Sequence, residues 1–177
     1  MKLKPLVCLL PLVLLGACAT DYRWTSRVPE ELRTVAVPVL ENRTMSAELG
    51  PICATYALRE FQREGTFKIR RAGDAALEVQ GAIVDARWSG ATFSRSDGLL
   101  ARECRYCVTA EISLVDKKNG RVLQDRRKYT AETTFSAAGD FLTGRRNAAP
   151  RIAQDLARQI VDDVCSYPYN RAEAKKD

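Results

Sequence analysis

Hydrophobic and polar positions divide the chain into segments of two periods. Val35, Val37 and Val39 alternate with Thr34, Ala36 and Pro38, which predicts an opening strand over Thr34 to Leu40 with one apolar face. Pro38 has no N–H to give a ladder, so this strand belongs at an edge or with the missing donor on an unpaired side. Asn42-Arg43-Thr44 reads as a turn. Gly50-Pro51 suits a helix start, and Ala54, Ala57, Leu58 and Phe61 fall on one helical stripe that Gly65 ends.

Period two then returns. Phe67 to Arg71 is a short extended piece, Gly73-Asp74 turns the chain, and Leu77, Val79, Gly81 and Ile83 alternate in a strand running on to Trp88. Ser89 to Ala101, rich in Ser, Gly and Asp, reads as a loop or a ragged hairpin end. Val108, Ala110, Ile112 and Leu114 mark another strand, Asp116 to Gly120 a hairpin turn in which Asn119-Gly120 supplies positive φ, and Val122 to Phe135 the return. Last comes an amphipathic helix with Ala149, Ile152, Ala153, Leu156, Ile160 and Val164 as its apolar stripe; Pro150 sits in its first turn, or kinks it if the helix begins near Gly144.

The order β-α-β-β-β-α gives two helices with one apolar stripe each and strands with one apolar face. An α+β two-layer sandwich follows, a mixed sheet of about four strands with both helices on one face. The other face would show Glu78, Gln80, Thr109, Glu111, Ser113, Lys128, Thr130, Glu132 and Thr134. Such a face suits solvent, and equally the polar lumen of a large β-barrel.

Residues 1–17 read as a signal peptide: Lys2 and Lys4, an apolar run from Leu6 to Leu15, then Leu15-Gly16-Ala17 before Cys18. That ending resembles the bacterial lipobox, which implies a diacylated Cys18 as the first mature residue and a durable membrane anchor. Ala19 follows, where an aspartate would resemble an inner-membrane retention signal, so the outer membrane is expected. Residues 18–32 form a tether; the fourteen from Ala19 to Leu32 reach roughly 45 to 50 Å when extended. The domain is expected over 33–168, with a disordered charged tail at 169–177.

Composition removes several classes of function. The chain of 177 residues has no histidine, which argues against Ser-His-Asp hydrolases and His-ligated zinc. Loss of Lys2 and Lys4 with the leader lowers the net charge from +6 to +4, a mild bias toward anionic partners. Nucleic acid is not expected: basic and acidic residues are mixed, and the chain carries an export signal.

Mature cysteines other than Cys18 are Cys53, Cys104, Cys107 and Cys165, an even number that suggests two disulfides in an oxidising compartment. Cys53 and Cys165 would be neighbours if the helices run antiparallel. Cys104-Arg105-Tyr106-Cys107 has redox-motif spacing, but an alternating strand follows where a thiol-activating helix is needed, and residues three apart on a strand point to opposite faces.

Val35-Ala36-Val37-Pro38, the Asn42-Arg43-Thr44 turn, and Leu58-Arg59-Glu60-Phe61 followed by Gly65-Thr66-Phe67 resemble the LptE family. The resemblance implies an outer-membrane lipoprotein on the periplasmic side that sits in the lumen of the LptD barrel, assists lipopolysaccharide insertion and binds lipopolysaccharide, with no cofactor and no catalysis. For a polyanionic ligand the sensible contacts are cations on hairpin ends: Arg95 and Arg102 in the loop after the second long strand, and Lys117, Lys118 and Arg121 at the Asn-Gly turn. Two other classes stand beside it. One is a lipoprotein that activates a cell-wall synthase. The other is an enzyme using Cys104 or Cys107 as redox thiols, or Asp85 and Glu111 as acids.

Overall fold

A computed structural model describes residues 28–93 and 101–169. Within them a 3-10 turn at Glu30–Leu32 leads into β1 (Thr34–Ala36), β2 (Glu41–Asn42), α1 (Leu49–Glu64), β3 (Lys68–Ile69), β4 (Leu77–Phe93), β5 (Ala101–Asp116), β6 (Arg121–Ser136) and α2 (Phe141–Ser166). The class is the α+β sandwich expected, with a mixed open sheet of six strands rather than about four. The extra strands are the two-residue β2 and β3. Strand order is β3-β1-β4-β5-β6, and β2 joins β4 beyond the end of β1.

Pro38 accounts for the split of the opening strand. Val35 pairs with Leu77 and Glu41 with Ala82, so both fragments lie along one side of β4, and Pro38 falls in the gap where no ladder donor is needed. β1 itself is interior, between β3 and β4, and Val39 is 68% exposed, so the expected apolar face stops at Val37. The turn after β2 is held by Asn42, whose Oδ1 accepts the Thr44 N–H at 3.0 Å while Nδ2 donates to the Ser46 carbonyl at 2.6 Å.

Gly65 ends α1 as expected, at φ 82°, with its N–H on the Phe61 carbonyl at 3.1 Å. The second helix is longer than its apolar stripe. Asp140 caps it by accepting the Leu142 N–H at 3.0 Å, and Pro150 lies well inside it. Gly144 permits close packing on the sheet: a Cβ there would stand 2.6 Å from the Ser136 carbonyl oxygen and 2.8 Å from Phe135 Cδ2.

Chain direction fixes the helices. β1 and β4 run one way, β5 reverses, and β6 reverses again, so α2 leaves β6 in the sense in which α1 leaves β1. The helices are therefore parallel. Arg145 near the start of α2 lies 3.9 Å from Glu48 at the start of α1, and Cys165 at the end of α2 interacts with Glu64 at the end of α1.

The core lies between the layers, with Val35, Leu77, Val79 and Ile83 of the sheet against Leu49, Phe61, Ile152, Leu156 and Ile160 of the helices. It reaches past the 33–168 span expected from sequence: Val28 is 2% exposed and Tyr169 3%. Tyr169 is pinned by its hydroxyl, which donates to the Val164 carbonyl at 2.8 Å.

Candidate interaction surface: the polar face of the sheet

β4, β5 and β6 are 17, 16 and 16 residues long, far above the usual five or six. The stretch read as a loop from Ser89 is strand as far as Phe93, and β5 begins at Ala101, well before Val108. Ser89 pairs with Arg105 and Gly90 with Cys104, so the antiparallel ladder, not local propensity, holds these small and polar residues extended. An extra residue at Val84 restores the alternation, keeping Ala86 and Trp88 on the helix side and Asp85 and Arg87 on the far side.

The far face is polar and bound across strands. Lys128 Nζ lies 3.4 Å from Glu111, the Thr109 and Thr130 hydroxyls are 3.1 Å apart, and Arg87 lies 3.3 Å from Asp85. Asp85 and Glu111, the acids considered for catalysis, are thus both in ion pairs. Glu78, expected on this face, is buried, with Gln80 Nε2 donating to it at 2.6 Å and the Lys117 ammonium in an ion pair with it at 3.0 Å. Burial opposes its charge, but Gln80 and Lys117 outweigh that and hold the carboxyl below its ordinary range. At one margin Arg43 grips Glu41 with two contacts of 3.2 and 2.9 Å, which lowers the Glu41 carboxyl.

β6 is an edge strand, and α2 closes it. Gln159 donates to the Thr130 carbonyl at 3.1 Å and Arg151 to that of Thr134 at 2.9 Å. Asp163 of the same helix accepts from Tyr129 Oη at 2.5 Å and Gln124 Nε2 at 2.6 Å, and pairs with Arg127 at 2.8 Å. Burial and the neighbouring Asp163 push the Tyr129 phenol well up.

The cations proposed from sequence do not form one site. Arg102, exposed at the start of β5, gives its carbonyl to the Ala137 N–H at 2.9 Å. Lys117, Lys118 and Arg121 flank the far end of the same strand, roughly 50 Å away at about 3.3 Å per residue. There Lys117 and Lys118 line a depression with Glu31, Thr34 and Ala76, next to where the described chain begins. The Lys117 ammonium is held by Glu78. Arg95 and Cys18 lie outside the described residues.

Cys53, Cys104, Cys107 and Cys165 are free thiols, a correction to the two expected bridges. With the helices parallel, Cys53 near the start of α1 and Cys165 at the end of α2 are separated by most of a helix, roughly 16 Å, where a bridge needs Cα atoms within about 7 Å. Cys104 points into the core, and Cys107 lies on the opposite face of β5. Burial raises the Cys53 thiol to about 12, and burial with Glu64 raises that of Cys165. Among the described residues no cluster of three or more acids or cysteines is set to hold a metal, and no helix is long and apolar enough to cross a membrane.

Two features had no signal in the hydrophobic pattern. Asp163, at the centre of its cluster, lies on a helix position that read as outward polar. Arg126 sits at a β6 bulge inside the charged run Asp125-Arg126-Arg127-Lys128, where no Gly or Pro marks the irregularity.

Solved structures share this fold at low identity. Protein XCC0632 from Xanthomonas campestris matches with a TM-score of 0.62 at 8% identity, over 86% of this chain and 93% of that one. Lipoprotein B from Nitrosomonas europaea gives 0.54 at 13% identity, over 83% and 90%. The rare lipoprotein B from Shewanella oneidensis gives 0.51 at 14% identity, over 78% and 98%. No curated protein matches the sequence. The family model LptE, lipopolysaccharide-assembly, matches residues 32–164, and the chain belongs to that family.

Proposed function

We propose that the protein is a lipid-anchored plug and assembly partner of an LptD-type outer-membrane β-barrel, where it assists lipopolysaccharide insertion and binds lipopolysaccharide directly. The observation that carries this reading is the long polar face of β4, β5 and β6. Sixteen residues at about 3.3 Å each make strands of roughly 50 Å, against about 40 to 45 Å for a bilayer with its headgroups. A plug as tall as its barrel needs a sheet of that reach, and a water-lined lumen calls for a polar surface.

The ends of the sheet then take different roles. The described chain begins beside Lys117 and Lys118, which supports an acylated Cys18 holding that end toward the periplasmic side of the outer membrane. The hairpin end carrying Arg102, with Arg95 between β4 and β5 in the sequence, lies at the level of the outer leaflet, where arginine forks suit lipopolysaccharide phosphates. Lys118 and Arg121 form a second basic group at the anchored end. Affinity purification of the tagged, acylated protein from detergent-solubilised outer membranes tests the reading. An LptD-type barrel is the expected partner; recovery of a cell-wall synthase in its place contradicts the proposal. Replacing Arg95 and Arg102 together with alanine weakens lipopolysaccharide binding by the folded protein, and unchanged binding removes them as contacts.

A further inference from the structure

We infer that Arg126 is a docking contact, held out from the polar sheet face by a strained bulge, for a carboxylate side chain of the barrel partner. The inference rests on the reading that this face meets the barrel. Ile112 pairs with Arg127 and Leu114 with Gln124, so Asp125 and Arg126 together stand opposite Ser113. Arg126 has φ 39°, and it is the one non-glycine among the described residues with positive φ. That conformation suits glycine and strains an arginine. It is held locally: the Arg126 N–H donates to Ser113 Oγ at 2.9 Å, and Ser113 Oγ donates to Asp125 Oδ1 at 3.4 Å.

Nothing inside the fold explains an arginine here. Its side chain is 76% exposed, and its ion-pair partner is its own neighbour Asp125, at 3.6 Å and itself 66% exposed. Such a pair contributes little. What the bulge does is set the guanidinium at the rim of a depression of about 380 Å³ lined by Glu41, Arg43, Gln80, Ala82, Glu111 and Ser113. The other charges are committed, Arg43 to Glu41 and Glu111 to Lys128. The Arg126 side chain, held among the described residues only by the long, exposed contact to Asp125, presents its fork at the rim, where it matches a carboxylate with two parallel hydrogen bonds.

The test is Arg126→Gly in the full-length acylated protein, with Arg126→Lys beside it. Glycine relieves the backbone, so the melting temperature holds or rises, while barrel recovery after a high-salt wash falls by about tenfold or more. Lysine keeps the charge without the fork and falls between. Wild-type protein that recovers the barrel no better than Arg126→Gly overturns the inference and leaves the proposed function standing; wild-type protein that recovers no barrel ends both. A lower melting temperature for Arg126→Gly assigns the side chain to the fold, and loss of lipopolysaccharide binding with full barrel recovery assigns it to phosphate. Either result overturns the inference.

Discussion

Asp163 ties the end of α2 to β6 through Tyr129, Gln124 and Arg127 at once. Replacing it with alanine leaves a phenol and an amide without their acceptor, and we expect a loss of about 1 to 3 kcal/mol in a denaturant titration, with a smaller loss for Asp163→Asn. The helical period put Asp163 on the outward side, and nothing in sequence marks a polar residue that reaches a strand edge. Glu78 was legible only as an outward strand position, because its burial depends on Lys117, nearly forty residues away, folding back over it. It gives the fold an acid sensitivity with a definite sign. Its carboxyl is held below the ordinary value of 4.5, so the unfolded chain takes up its proton first as pH falls. The stability it contributes is complete above that value and is lost as pH drops through the lowered one. Thermal midpoints measured from neutral to acid pH should fall less steeply for Lys117→Met than for wild type.

At the scale of elements, α1, its Gly65 stop and the Asn119-Gly120 turn were legible because each follows from local periodicity or backbone freedom. The ends of β4 and β5 were not, since partners across the ladder determine them. The relation of the helices could be read from connectivity once the strands were correctly counted. Two reversals separate β4 from β6, which makes α2 parallel to α1 and puts Cys53 and Cys165 out of reach of each other. Peptide mapping of alkylated, non-reduced mature protein should find both as free thiols; a Cys53–Cys165 peptide would mean a different helix arrangement. Gly144 makes the packing of α2 on the strand end sensitive to one methyl group. Gly144→Ala must displace Phe135 or the helix, and should cost about 1 to 3 kcal/mol by denaturant midpoint.

The whole molecule is a two-layer sandwich whose sheet outreaches its shorter helix. α1 spans about 24 Å at 1.5 Å per residue, half the length of β5. The class came from helical stripes and strand alternation together, and the polar face from alternation, because apolar and polar positions on a strand divide cleanly between faces. The separation of the basic residues into two distant ends did not, because hydrophobic pattern carries no strand length where Ser, Gly and Thr are paired. Under the proposed function, that separation would give a plug its polarity, an anchored end and a hairpin end. Site-specific photocrosslinking in intact outer membranes tests this most directly, with the reactive group placed at Thr109 in the middle of the polar face. The account predicts an adduct with the LptD-type barrel. An adduct confined to a periplasmic cell-wall synthase, or a face that labels nothing while the barrel is present, would contradict it.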